Sequence, residues 1–137
     1  MTSPFAPEIS VAELITLAPK DLELRLIAGE AGLGKPIAIP RIQKLGLALA
    51  GFAHYIHAGR VQILGQSEMS FLEQLNSEER IRAIEQLPLE DVTCVLVTTG
   101  LTPPVEFLRI ADERRIPVLV SSLLSSTAIL KLTEFLQ

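Results

Sequence analysis

The sequence predicts an α/β domain in three layers: a small, mainly parallel sheet with helices on both faces, plus an antiparallel β-hairpin on the N-terminal side. Three observations predict it. Val92-Thr-Cys-Val-Leu-Val97 is apolar at nearly every position, as a central strand covered on both faces requires. From there the chain alternates strand, helix, strand and helix, and such a crossover between parallel strands is right-handed. The residues are 48% hydrophobic but only 4% aromatic, so the filling is aliphatic. A chain of 137 residues fits one domain, and a domain of this size buries roughly two-thirds of its unfolded surface.

Residues 1–8 contain Pro4 and Pro7 with little apolar pattern and read as a loose lead-in, leaving a single domain over 9–137. Ser10-Val-Ala-Glu13 is a capping box: the serine oxygen accepts a first-turn amide while the glutamate reaches back, starting a helix to about Leu17. Pro19 stops it. Leu22-Glu-Leu-Arg-Leu26 alternates, placing three leucines on one face of a strand, with Ile37-Ala-Ile39 as its hairpin partner. Arg41 to Gly46 reads as a connection. Leu45, Leu47, Leu49 and Phe52 are too continuously apolar for a surface helix and mark a short buried helix or an interface. Small Gly46, Ala48 and Gly51 permit close approach there.

Val61-Gln-Ile-Leu64 is a short strand ended by Gly65. A helix from Ser67 turns Met69, Leu72 and Leu75 inward, with Phe71 beside them. Asn76-Ser-Glu-Glu79 caps the next helix, whose Ile81, Ile84 and Leu87 repeat the pattern until Pro88. The charges Glu78, Glu79, Arg80, Arg82 and Glu85 read as a solvated face. Thr102 is placed to cap a further helix with proline at its first position, burying Val105, Leu108 and Ala111 with Ile110 close by. After the strand Pro117-Val-Leu-Val120, Ser125 or Ser126 caps a last helix that buries Ile129, Leu130, Leu132 and Phe135.

Ligands of open parallel sheets collect beyond the carboxyl ends of the strands. Thr98, Thr99, Gly100 and Thr102 occupy that place, and Ser121-Ser122 with Ser125-Ser126-Thr127 lie after the next strand. They form the candidate ligand site, a hydroxyl-rich pocket suited to a small anion. Gly29-Glu-Ala-Gly-Leu-Gly34-Lys35-Pro36 imitates a phosphate-binding loop, but such a loop needs a Ser or Thr hydroxyl for Mg²⁺ after the lysine, and a helix. Proline has neither hydroxyl nor amide hydrogen, so a turn is expected. His54 and His57 stand three apart without further ligands at metal spacing and are not read as a metal site. No catalytic constellation is found, and no cofactor is expected in these residues.

A net charge of −4 with scattered Lys and Arg argues against a nucleic-acid partner. No apolar run reaches the length that spans a bilayer. One cysteine, Cys94, inside an apolar strand, reads as a buried hydrophobe in a reducing cytoplasm.

The words Gly-Leu-Ala-Leu-Ala-Gly-Phe (46–52), Arg-Val-Gln-Ile-Leu-Gly (60–65), Ser-Phe-Leu-Glu-Gln-Leu (70–75), Cys-Val-Leu-Val-Thr-Thr-Gly-Leu-Thr-Pro-Pro (94–104) and Ile-Pro-Val-Leu (116–119) carry a resemblance. The chain resembles the N-terminal domain of bacterial HPr kinase/phosphorylase and, more distantly, DRTGG-type domains. The family usually carries Asn-Arg-Pro-Gly where this chain has Gln43-Lys44-Leu45-Gly46, and often a basic residue at Thr99. The resemblance implies a non-catalytic regulatory or assembly domain. Its parent would use ATP to phosphorylate a serine of HPr and reverse this by phosphorolysis, in sugar-transport and carbon catabolite regulation. ATP and Mg²⁺ would belong to a C-terminal P-loop kinase domain beyond Gln137. That domain, HPr and further copies of the chain are the partners implied. The other reading is a stand-alone DRTGG-like module that senses a small ligand.

Overall fold

A computed structural model describes residues 9–38, 42–51 and 59–136. Its main sheet has five strands: β2 (Arg25–Ala28), β4 (Ile42–Lys44), β5 (Val61–Leu64), β6 (Cys94–Val97) and β7 (Val118–Val120). Their order is β2-β7-β6-β5-β4, parallel from β7 to β4, with β2 antiparallel at one edge. As the nearly continuous apolar run predicts, β6 lies in the middle.

The period of two along each strand divides the core into halves. Cys94 and Leu96 of β6 join Val61, Ile63 and Leu119 on one face, whereas Val95 and Val97 join Leu64, Val118 and Val120 on the other. The first face is covered by α1 (Val11–Leu17), through Val11 and Leu14, and α6 (Ser125–Leu136), through Ala128 and Leu132. The second is covered by α2 (Gly46–Leu49), α3 (Gln66–Glu73), α4 (Ser77–Glu85) and α5 (Val105–Glu113). Helices therefore lie on both faces, as predicted.

The small antiparallel pair at the N-terminal side exists, but with other members. β1 (Ile9–Ser10) pairs with β3 (Pro36–Ile37), while residues 25–28 leave for the edge of the main sheet. Leu22, expected in a strand, ends a 3-10 turn over Lys20–Leu22 and is fully buried. A strand was also missed: Ile42–Lys44, read as a connection, pairs with β5, and the Leu45 amide continues the ladder to the Ile63 carbonyl at 3.0 Å. Three residues with one aliphatic side chain are too few to show a period.

The capping boxes form where the spacing predicts. Ser10 Oγ accepts from the Glu13 amide and Glu13 returns to the Ser10 amide; Asn76 and Glu79 exchange the same pair at the head of α4. Asn76→Ala is expected to destabilise the domain by about 1 kcal/mol in urea unfolding, because it leaves a first-turn amide without its acceptor. Glu68 does likewise for α3, accepting from the Gly65 amide at 2.8 Å, so that helix starts at Gln66 rather than Ser67.

Two helix faces differ from expectation. The N-cap of α5 is Pro104, not Thr102: tandem prolines keep Pro103 and Pro104 extended, so the helix begins two residues late. Its inward side is Phe107, Ile110 and Ala111, and Val105 is 74% exposed. In α6, Leu130 points outward at 60% exposure, with Ala128 and Leu132 inward. Arg80, read as part of a solvated face, instead joins three helices. Its Nε donates to the Leu72 carbonyl at the end of α3 at 2.7 Å, and its guanidinium pairs with Glu106 of α5 at 3.7 Å.

Candidate functional site at the carboxyl edge of the sheet

The chain leaves β5 and β6 toward helices on one face, and leaves β7 toward α6 on the other. That reversal places the expected crevice between the carboxyl ends of β6 and β7. The residues there close it with their own bonds. Thr98 is fully buried, and its hydroxyl shares a 2.6 Å hydrogen bond with the Ser125 hydroxyl. Thr99 and Gly100 both take left-handed backbone (φ 60° and 62°), which turns their amides back onto the β7 loop. The Thr99 amide donates to the Leu123 carbonyl at 2.7 Å and the Gly100 amide to the Ser121 carbonyl at 2.9 Å. Ser121, buried, donates to the Leu22 carbonyl at 2.6 Å and accepts from the Leu123 amide. The Thr98 hydroxyl and the Thr99 and Gly100 amides, expected to face an anion, are thus already bonded.

Gly65 packs beneath this lock: a Cβ there would meet Ser125 Oγ at 2.5 Å and Thr98 Oγ1 at 3.2 Å. The pair is asymmetric in burial, and so should be the effect of losing either member. Ser125→Ala strands a fully buried Thr98 hydroxyl and is expected to cost about 1–3 kcal/mol, whereas Thr98→Val leaves only the half-buried Ser125 hydroxyl, which water can reach, and should cost less. Urea unfolding of both variants and the double variant measures this. Equal losses would refute the assignment of Thr98 as the dependent partner.

What stays open lies beside the lock. Glu23, Arg25, Gly100, Val120 and Ser122 line a surface hollow of about 230 Å³. Of the four residues named from the sequence, only Gly100 borders it; Thr98 is buried, and Thr99 and Thr102 are exposed elsewhere. Ser122, named as a neighbour, lines it and hydrogen bonds to Glu23. Sequence reasoning missed Arg25, which reads only as the polar member of an alternating strand. It reaches the hollow because β2 pairs with β7, where Arg25 sits opposite Val120.

The loop that imitates a phosphate site is a turn. Its Gly32, Leu33 and Lys35 amides donate to carbonyls of Gly29, Glu30 and Gly32, the Gly29 amide donates to Asp112 Oδ1 at 2.6 Å, and strand β3 follows instead of a helix. No amide of that set faces a phosphate. Lys35 turns toward the opposite end of the sheet, with Nζ 3.4 Å from the Val92 carbonyl, and partial burial lowers its pKa from the ordinary lysine value.

Leu45 and Leu49, named as candidate interface residues, fill the core at 1% and 3% exposure, so they are not available to a partner. The Leu47 side chain and Phe52 lie outside the described residues, as do His54 and His57. Among the described residues no three His, Cys, Asp or Glu stand together as metal ligands, and no helix is long and apolar enough to cross a membrane. Cys94 is buried in the central strand, and the loss of hydration pushes its thiol up to about 12. A thiol reagent at neutral pH is therefore expected to label it only as fast as the domain opens, and immediate labelling of folded protein would contradict its placement.

Residues 9–136 match the family described as HPr Serine kinase N terminus. The chain is 42% identical over 130 residues to an HPr kinase/phosphorylase of Geobacter sulfurreducens, covering 94% of this chain and 40% of the relative. It is 38% identical over 115 residues to that of Treponema pallidum (84% and 36%), and 33% identical over 131 residues to that of Bacillus cereus (96% and 41%). It thus spans about two-fifths of the length of these curated relatives. Among solved structures it is similar to the CBS and DRTGG domains of the regulatory region of Clostridium perfringens pyrophosphatase, complexed with the activator diadenosine tetraphosphate. That likeness has a TM-score of 0.56 at 19% identity and covers 83% of this chain and 43% of the other; it is one of fold. Because the family pattern runs from β1 to the end of α6, this chain belongs to the HPr serine kinase N-terminus family.

Proposed function

We propose that the chain is the non-catalytic regulatory and assembly domain of an HPr kinase/phosphorylase. The family match over residues 9–136 carries this reading. The closed crevice at the strand ends agrees with it, since its hydroxyls and amides hold loops together rather than face a substrate. In the parent enzyme, a C-terminal kinase domain binds ATP and Mg²⁺, phosphorylates a serine of HPr and removes the phosphate by phosphorolysis, in the cytoplasm, within sugar-transport and carbon catabolite regulation. The domain described here contributes stability, self-association or control.

The test is an exchange of parts. This chain replaces the matching segment of the Geobacter sulfurreducens relative, and the chimera is compared with its parent for oligomeric state and for phosphoserine formed on HPr from ATP. Retained assembly and transfer support the proposal, as does a failure of the isolated chain to phosphorylate HPr. Phosphoserine made by the isolated chain, or a folded chimera that no longer assembles, would refute it.

A second reading, a DRTGG-like module that senses a small ligand, is favoured by the fold likeness to the pyrophosphatase regulatory region and by the hollow beside Gly100. Displacement of the Gly100 amide resonance by ATP, AMP or phosphate supports it, and indifference to all three removes it.

A further inference from the structure

We propose that the hollow between β2 and the end of β7 binds a phosphate group, held by the guanidinium of Arg25 and the hydroxyl of Ser122. The inference rests on the ligand-sensing reading and names the chemistry of that site. Three features carry it.

The first is where Arg25 stands. In register with Val120, it occupies the sheet face that α2 to α5 otherwise cover with apolar side chains. Because α5 begins only at Val105, after the extended Thr102-Pro103-Pro104, that end of the face is left without a helix above it. An arginine there reaches the opening and not the core.

The second is that Arg25 has no hydrogen bond or ion pair to any side chain among the described residues, although Glu23 lines the same hollow. The Glu23 carboxylate is held by the Ser122 hydroxyl instead. Five guanidinium N–H donors are therefore open to a ligand, in the fork geometry that matches two oxygens of a phosphate. A tetrahedral group can take that fork, and also the Ser122 hydroxyl once that hydroxyl turns from Glu23 to the ligand.

The third is room. The hollow of about 230 Å³ is wide enough for a phosphate with part of whatever carries it, and nothing lies within 4 Å of the space beyond the Gly100 α-carbon. Glu23 and Gly100, which both line the hollow, take left-handed backbone, at φ 53° and 62°.

The neighbouring carboxylate opposes an anion and supplies the sharper test. Inorganic phosphate, AMP and ATP are each titrated into ¹⁵N-labelled protein, following the Gly100 and Ser122 amides, with the parent chain, Arg25→Gln and Glu23→Gln. Arg25→Gln is expected to weaken binding about tenfold or more, through loss of a charge-assisted pair. Glu23→Gln is expected to tighten it about threefold, through relief of like-charge repulsion. Response to phosphate alone identifies a free anion, and response only to AMP or ATP identifies a phosphoryl group carried by a nucleotide; either sustains the proposal. Shifts at Gly100 that persist unchanged in Arg25→Gln overturn it while leaving the ligand-sensing reading intact. Absence of any shift with all three probes overturns both. Circular dichroism of the variants checks that each is folded, which these exposed positions allow.

Discussion

Gly29→Ala is expected to lose about 3 kcal/mol or more of folding stability, the largest effect of any single methyl group added to this chain. Two causes add. Gly29 sits at φ 73°, where an alanine pays about 1–2 kcal/mol for left-handed backbone. Its added carbon would also fall inside contact distance of the Ile116 carbonyl and the Pro117 nitrogen. Neither can retreat cheaply. The Ile116 amide is bonded to the Ala111 carbonyl at 2.8 Å, and the Pro117 carbonyl accepts the Val95 amide at 2.9 Å, so displacement would pull on α5 and on the central strand together. The Gly29 amide would shift too, and with it the 2.6 Å bond to Asp112.

Gly32→Ala isolates the second cause. Its backbone is ordinary, but its new carbon would collide with the Arg115 carbonyl, so a loss of about 2 kcal/mol is expected. Gly34 is the control. Nothing lies within 4 Å of its missing Cβ, and Gly34→Ala should change stability by no more than about 0.5 kcal/mol. Urea unfolding followed by circular dichroism ranks the three. A Gly29 variant as stable as the Gly34 variant would mean that the turn does not pack on the strand leading into β7.

Leu96→Ala should come next, at about 3–4 kcal/mol. Leu96 lies in the middle strand, 1% exposed, with Ile63 and Leu119 opposite it in register on both sides and the α1 and α6 leucines above. Strands held by ladders on two sides cannot close over the missing volume, so the cost includes the cavity as well as the lost transfer of a buried leucine. Leu130→Ala on the outer side of α6 provides the contrast and should cost under about 1 kcal/mol. Comparable losses at the two positions would put Leu96 outside the core.

The difference between these leucines also shows what local pattern can carry. Capping boxes were legible because they join residues three apart: Ser10 to Glu13, and Asn76 to Glu79. The central strand was legible because five of the six positions from Val92 to Val97 are apolar. The side of α6 that faces the sheet was not, since Leu130 and Leu132 are equally apolar and only the placement of the helix on β4 to β7 separates them. The late start of α5 had a local cause, Pro103-Pro104, but Thr102 offered a competing cap signal two residues earlier.

The candidate site divides in the same way. Gly100 was legible because a glycine after a strand and before a helix marks a turn, and the turn does border the hollow. Arg25 was not legible there, because its strand was expected to fold back on residues 37–39. The paired strand is β7, far along the chain, and no short-range signal names it. The state of the Thr99 and Gly100 amides was also invisible, since their acceptors, Leu123 and Ser121, belong to another loop.

By itself, then, the sequence determined the class of fold, the central strand, the helix caps and the family, because each rests on side-chain pattern within one turn or one strand, or on words of consecutive residues. Only the tertiary structure decided which strand takes the edge beside β7, that Leu45 and Leu49 belong to the core, and that the carboxyl-edge amides bond each other while Arg25 stands open. Those outcomes are competitions between partners distant in the chain, settled by which pairing buries the most apolar surface and leaves the fewest backbone groups unbonded.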